Sequence, residues 1–245
     1  MTLIITPVPI LSDNYAWLLK DQQSGAMAIV DPAEEAPVMA AIDSATRDGG
    51  KLELILLTHH HDDHIAAADA VRRRTGALIV GAGADRRRLP RLDQAVQDGD
   101  MVALGDSRME IIETPGHTRG HISFFFPATP ALFCGDTLFS LGCGRLLEGS
   151  PAEMHDSLIR IAALPDETLI CCGHEYTAAN AKFALAAYPE NGPLAERASA
   201  IFKLRAEGLP TVPVRLGAER LTNPFLLAHD LADFTRLRSW KDNFR

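Results

Sequence analysis

Six consecutive residues, His59-His60-His61-Asp62-Asp63-His64, follow one residue after an apolar run, Leu52 to Leu57, that only Glu53 interrupts. This junction constrains the fold more than any other feature of the chain. A short apolar run of that length reads as a buried strand. The polar residues after it then lie at a strand end, where a loop carries functional side chains on a rigid support. Side chains alternate along extended chain, so His59 and His61 point one way and His60 the other. Asp63 and His64 sit at the mouth of the next helix. One segment thus offers two imidazoles to one cation, and a carboxylate with an imidazole to a second. Imidazole and carboxylate suit zinc, manganese or iron. Three of the nine histidines fall within residues 59–61, and two acids are interleaved with the fourth, which is too dense for a solvated loop.

Three later segments repeat the design. Thr114-Pro115-Gly116-His117 places a histidine in a tight loop after a strand at 108–113. Cys134-Gly135-Asp136-Thr137 places an aspartate at the end of another apolar strand, and Cys171-Cys172-Gly173-His174 does the same with a histidine. Each potential ligand stands beside a glycine, which lets backbone approach closely. A carboxylate with two oxygens can bridge two cations. The remaining histidines read blandly: His60 is out of frame, His121 is a hydrogen-bonded structural residue, and His155 and His229 have no ligand context.

The rest of the chain alternates short strands with helices. Strands are expected at 2–8, 15–20, 26–30, 52–57, 77–80, 101–104, 108–113, 121–126, 131–135 and 168–172. Helices are expected at 35–48, 63–75 and 152–163. Hairpin-like spacing in places and strand–helix alternation in others fits sheets flanked by helices, an α/β (α+β) class. Beyond residue 174 the character changes. Helices at 175–188, 193–207 and 230–243 are expected there and no strand, so the chain divides into domains at 1–174 and 175–245.

The composition excludes several alternatives. The net charge of −8 argues against a nucleic-acid partner. No apolar run approaches the roughly 20 residues that span a bilayer. Residues 1–11 lack a basic flank and are interrupted by Pro7 and Pro9, so they do not read as a signal peptide, and the cytoplasm is the expected location. Cys134, Cys143, Cys171 and Cys172 form no CxxC pair and read as small core residues, not disulfides.

The ligand pattern resembles the metallo-β-lactamase superfamily. Its HxHxDH motif is matched by His59, His61, Asp63 and His64, and its other ligands by His117, Asp136 and His174. The resemblance covers about residues 1–174 and implies an αββα sandwich with the metals at one edge of the sheets. It further implies that His59, His61 and His117 hold one metal, that Asp63, His64 and His174 hold the other, and that Asp136 bridges them.

Closer details resemble glyoxalase II, the hydroxyacylglutathione hydrolases. They are Asp13-Asn14-Tyr15, Gly135-Asp136-Thr137-Leu138-Phe139, Gly142-Cys143-Gly144-Arg145, Gly173-His174-Glu175-Tyr176-Thr177, Asn223-Pro224-Phe225 and Arg238-Ser239-Trp240-Lys241-Asp242. They run over nearly the whole chain, helical tail included. The resemblance implies that Arg145, Tyr176, Arg238 and Lys241 bind the glutathione part of a thioester, whose two carboxylates suit cations. The chain departs from the pattern in three ways: Arg145 replaces a common lysine, Leu147 a frequent tyrosine, and Leu226 and Leu227 stand where a basic residue is often found.

The implied reaction is hydrolysis of S-(2-hydroxyacyl)glutathione thioesters by a metal-bridged hydroxide, with Asp63 as catalytic residue and metal ligand. The cofactors expected are two divalent ions, zinc first, with iron or manganese as alternatives. The protein is expected to act as a monomer with no membrane partner. The alternatives are another hydrolase of the same fold, such as a lactonase or β-lactamase, a persulfide dioxygenase with one iron, and a metal-binding interaction domain.

Overall fold

The computed structural model describes residues 3–244, and contacts divide these into two compact units. The first comprises Met1–Glu113 and Gly120–Gly135, and the second Thr114–Arg119 and Asp136–Arg245.

The first unit is built on two sheets. β1 (Leu3–Ile10), β2 (Asn14–Asp21) and β3 (Ala26–Val30) run antiparallel, and β4 (Lys51–Leu57), β5 (Leu78–Ala82) and β6 (Gln94–Val96) continue the sheet in parallel. Parallel neighbours need crossovers. These are supplied by α1 (Glu35–Arg47) between β3 and β4, and by α2 (Asp62–Ile65) with α3 (Ala68–Thr75) between β4 and β5. Val38, Met39 and Ile42 of α1 and Ala68 and Val71 of α3 form one core with Ile29, Ile55, Leu57 and Ile79 of the sheet.

From the second sheet this unit holds the antiparallel run β7 (Met101–Leu104), β8 (Ser107–Glu113), β9 (Ile122–Phe126) and β10 (Ala131–Gly135). Trp17 of β2 meets Phe133 of β10 edge-on at 6.3 Å between ring centroids, and both are buried, so apolar side chains fill the space between the sheets. β2 is buried along almost its whole length because it carries a layer on each face.

The single helix expected over 63–75 is broken after Ile65. Two tertiary bonds interrupt its ladder. The Asp63 carbonyl accepts from Asn14 Nδ2 at 3.0 Å. The Ala67 N–H, which that carbonyl would otherwise receive, donates to Pro32 O at 3.0 Å. Apolar periodicity carries no trace of either bond.

The second unit contains the hairpin β11 (Leu138–Phe139) and β12 (Gly142–Cys143), then α4 (Pro151–Ala162), β13 (Leu169–Cys172), α5 (Thr177–Ala187), α6 (Gly192–Ala206), β14 (Val214–Arg215), α7 (Leu216–Thr222) and α8 (Leu231–Asn243). The start of α4 is written in the sequence: Ser150 and Glu153 close a capping box around Pro151. The expectation of no strand beyond residue 174 is corrected by β14, which pairs antiparallel with β13 through Leu169–Arg215 and Ile170–Val214. Two residues are too few to show alternation. Leu194, Ala198 and Ile201 of α6 pack on Ala181 and Ala184 of α5 and on Leu141 at the hairpin tip. Among the described residues all four cysteines are buried free thiols, and no helix is long and apolar enough to cross a membrane.

Candidate metal centre and substrate pocket

In the first unit the parallel strands end where the chemistry begins. The carboxyl ends of parallel strands are where open α/β sheets bind ligands. Asp31 follows β3, and the histidine run follows β4. Asp31 is buried and held at φ 50°, a costly conformation for a residue with a side chain. Its Oδ1 accepts from Thr58 N at 2.8 Å, and its Oδ2 from Thr58 Oγ1 at 2.7 Å. Oδ2 also lies 2.9 Å from His64 Nδ1. The carboxylate therefore aims the His64 ring and turns its Nε2 toward Asp63, whose Oδ2 lies 3.8 Å away. Partners of this kind fix both the tautomer and the direction of a metal-binding imidazole. Asp63 itself is steadied by Asn14 Nδ2, at 3.1 Å from Oδ2.

His59 is fully buried, lies 3.0 Å from Thr58 Oγ1 through Nδ1, and stacks on His121 at 4.8 Å. Its Nε2 lies 3.0 Å from Nδ1 of His61. Two nitrogens around one tetrahedral ion, each about 2.0–2.1 Å from it, are roughly 3.3 Å apart. The pair is therefore spaced to share a cation.

The second unit brings together three further residues of the ligand pattern, from three separate stretches. His117 Nδ1 lies 2.8 Å from the Arg145 carbonyl, which aims Nε2 at Asp136, 3.4 Å from Oδ2. His174 Nε2 lies 3.3 Å from that same oxygen. One carboxylate oxygen thus meets two imidazole nitrogens that the ligand pattern assigns to different ions, as a bridge requires. All three side chains are buried. Gly144 makes this possible: a Cβ there would come within 1.9 Å of the Asp136 carbonyl oxygen. The donor set fits divalent zinc, iron or manganese.

A cavity of about 460 Å³ adjoins His117 and Asp136, lined also by Phe139, Cys143, Leu147 and Tyr176 and by Arg145, Arg238 and Lys241. All four residues expected to bind substrate are thus gathered in one place. Their states differ. Arg145 and Tyr176 are solvent-exposed, and Tyr176 stacks on His174 at 4.5 Å with 7° between the planes. Arg238 is 4% exposed and heavily engaged: Nη1 donates to Cys143 O at 2.9 Å, and Nε and Nη2 donate to Asp242 Oδ1 at 3.2 and 2.7 Å. Lys241 donates to Ala179 O at 3.3 Å and lies over the Phe183 ring. Burial, followed by repulsion from Arg238 and Arg145, pulls the Lys241 ammonium down to about 8. Burial raises the Cys143 thiol despite the neighbouring Arg238, so it is a poor nucleophile.

Several supporting residues were not singled out in the sequence. Asp31 has a weak signal, an acid between a buried strand and Pro32. Asn223, noticed only for its motif, turns out to hold the β11–β12 hairpin through Phe139 O and Gly142 O, at 3.1 and 3.0 Å.

The family model described as the metallo-beta-lactamase superfamily matches residues 11–174, and that described as the hydroxyacylglutathione hydrolase C-terminus matches residues 175–244. The chain is 53% identical over 240 residues to a hydroxyacylglutathione hydrolase of Acidiphilium cryptum, covering 98% of this chain and 96% of that protein. It is 48% identical over 259 aligned residues to one of Rhodobacter capsulatus, covering all of both. Among solved structures, ETHE1 from Myxococcus xanthus is 25% identical, superposes with a TM-score of 0.73, and is matched over 96% of this chain and 90% of that one.

Proposed function

Since the chain belongs to the hydroxyacylglutathione hydrolase family within the metallo-beta-lactamase superfamily, we propose that it hydrolyses S-(2-hydroxyacyl)glutathione thioesters to glutathione and a 2-hydroxy acid. The observation that carries this reading is the cavity in the second unit, where three cationic side chains stand within one pocket beside the ligands His117 and Asp136. That combination suits a substrate with carboxylates at one end and a reactive carbonyl at the other.

His59, His61 and His117 would hold one divalent ion, and Asp63, His64 and His174 the other, with Asp136 shared; zinc is the first candidate. When bound, such ions act as Lewis acids and bring water to hydroxide near neutral pH. The chain's own residues do the rest. Asp63, steadied by Asn14, orients the attacking oxygen. Arg145, Tyr176, Arg238 and Lys241 position the glutathione carboxylates, which makes the cleavage effectively intramolecular. No dedicated general acid is needed, because the leaving thiol ionises near pH 8.5. The division into modules at 174 and 175 belongs to the same proposal, the first carrying the metals and the second closing the glutathione site.

The direct test is turnover of S-D-lactoylglutathione, a lactone and a cephalosporin by one sample whose metal content is measured. Thioester hydrolysis is expected, with two ions per chain. Faster turnover of the lactone or the cephalosporin would overturn the substrate assignment.

Lys241 gives a sharper expectation. Its charged form is the one that pairs with a carboxylate, and that form is lost as pH rises through about 8. KM should therefore climb between pH 7 and 9 while kcat follows a different profile. Lys241→Ala should raise KM about tenfold to a hundredfold at pH 7, the size of a charge-assisted contact, with less effect on kcat. Its KM should also no longer respond to pH in that range. A variant with wild-type KM and pH profile would remove Lys241 from the substrate site.

A further inference from the structure

Of the three adjacent histidines in the ligand run, the middle one has a different occupation. His60 Nδ1 lies 2.9 Å from Asp85 Oδ2, and its Nε2 lies 3.2 Å from Arg88 Nη1. Arg88 also donates to Asp85 Oδ1 through Nε at 2.8 Å and Nη2 at 2.5 Å. An arginine has no acceptor, so Nε2 of His60 accepts, and Nδ1 carries the proton donated to Asp85. The three side chains close a ring that occupies both nitrogens of His60. Asp85 is 4% exposed, an unusual place for a carboxylate unless its partners are fixed. It is also boxed in: a Cβ on Gly120 would come within 2.5 Å of Asp85 Cγ.

We propose that Asp85 and Arg88, acting through His60, are positioning residues that set the rotation of the segment 59–61 and so aim His59 and His61 at a common metal ion. The three side chains share one short stretch of backbone between β4 and α2, with His59 Nε2 and His61 Nδ1 3.0 Å apart, so a backbone turn that frees His60 swings both neighbours from their line. The proposal rests on the metal reading given above. It goes beyond it by assigning a role to His60 and to two residues on a turn further along the chain, Asp85 and Arg88, 25 and 28 residues on. Outer partners of metal ligands are worth about tenfold to a hundredfold in metal affinity.

The test uses the metal-free full chain reloaded with Co(II), followed by chelator competition and by the visible d–d absorption of each bound ion. Arg88 is partly exposed, so Arg88→Ala should fold, and Asp85→Asn preserves volume. In both, one of the two ions should weaken about tenfold to a hundredfold with an altered absorption band, while the other keeps wild-type affinity. Arg88→Ala should add nothing to His60→Phe, because both break the same ring. The exposed neighbour Arg86→Ala should match wild type. Unchanged affinity and spectrum in folded Arg88→Ala would overturn the proposal. So would equal weakening of both ions with a lowered melting temperature, the signature of general loosening. A wild-type chain binding fewer than two ions would overturn the metal reading itself, and this clamp with it.

Discussion

Asp136→Ala should lose both metal ions and all measurable hydrolysis, whereas His59→Ala should lose one ion. The difference follows from the number of partners each side chain serves. Asp136 Oδ2 lies within 3.4 Å of His117 Nε2 and 3.3 Å of His174 Nε2, so truncation leaves two buried imidazoles without their shared carboxylate. It also removes the negative charge that would offset two dications. His59 Nε2 lies 3.0 Å from His61 Nδ1, and the ligand pattern gives it to one ion. Metal analysis after exhaustive dialysis should therefore rank wild type above His59→Ala and His59→Ala above Asp136→Ala. Both variants should be inactive, since removing one ligand or the bridge dismantles the same site. Wild-type metal content in either variant would dismiss that residue as a ligand.

The second large effect concerns stability. Glu219 is fully buried and crowded with partners: Arg197, the Leu141 N–H at 2.8 Å and Asn223 Nδ2 at 2.9 Å. Arg197 in turn reaches Ser140 Oγ at 2.9 Å and Thr222 Oγ1 at 2.5 Å. The network ties α6 and α7 to the tip of the β11–β12 hairpin. Breaking a buried pair from one side strands the other charge and costs about 3–5 kcal/mol. In a chain of this size each kcal/mol moves the midpoint by about 2–4 °C, so Glu219→Ala should melt roughly 10 °C lower. Arg236→Ala, which breaks an ion pair with Asp233 in which the arginine is largely exposed, should change stability by about 1 kcal/mol or less. Equal melting temperatures for the two variants would show that the buried network contributes no more than a surface pair.

What could be read in the sequence was whatever rests on local pattern. The strand before the ligand run was legible because Leu52–Leu57 is nearly continuous and apolar. The helix α4 was legible because its cap is local. The ligand pattern stood out through the density of 59–64 and through three later segments, each past a strand end with a glycine beside His117, Asp136 or His174. What could not be read depends on partners distant in the chain. The break between α2 and α3 is made by Asn14 and Pro32. Asp31 looks like any aspartate until its three bonds are seen. Nothing local to Arg238 tells that Cys143 and Asp242 take it inside. The pairs β6 and β14 form with their neighbours leave no alternation in such short segments. The frame that sets His60 apart from the ligand pattern is silent about Asp85.

The second unit draws its core from both sides of residue 174. Ring contact joins His155 of α4 to Phe234 of α8, β14 covers the edge of β13, and Arg220 reaches back to the carbonyls of Ala162 and Leu164. A chain stopped at 174 would therefore not be a working catalyst that merely lacked its substrate clamp. It would carry a bare strand edge and an uncovered helix face, the two features that template intermolecular association. For a proteolytic nick or an early stop codon near that position, precipitation would precede any loss of specificity.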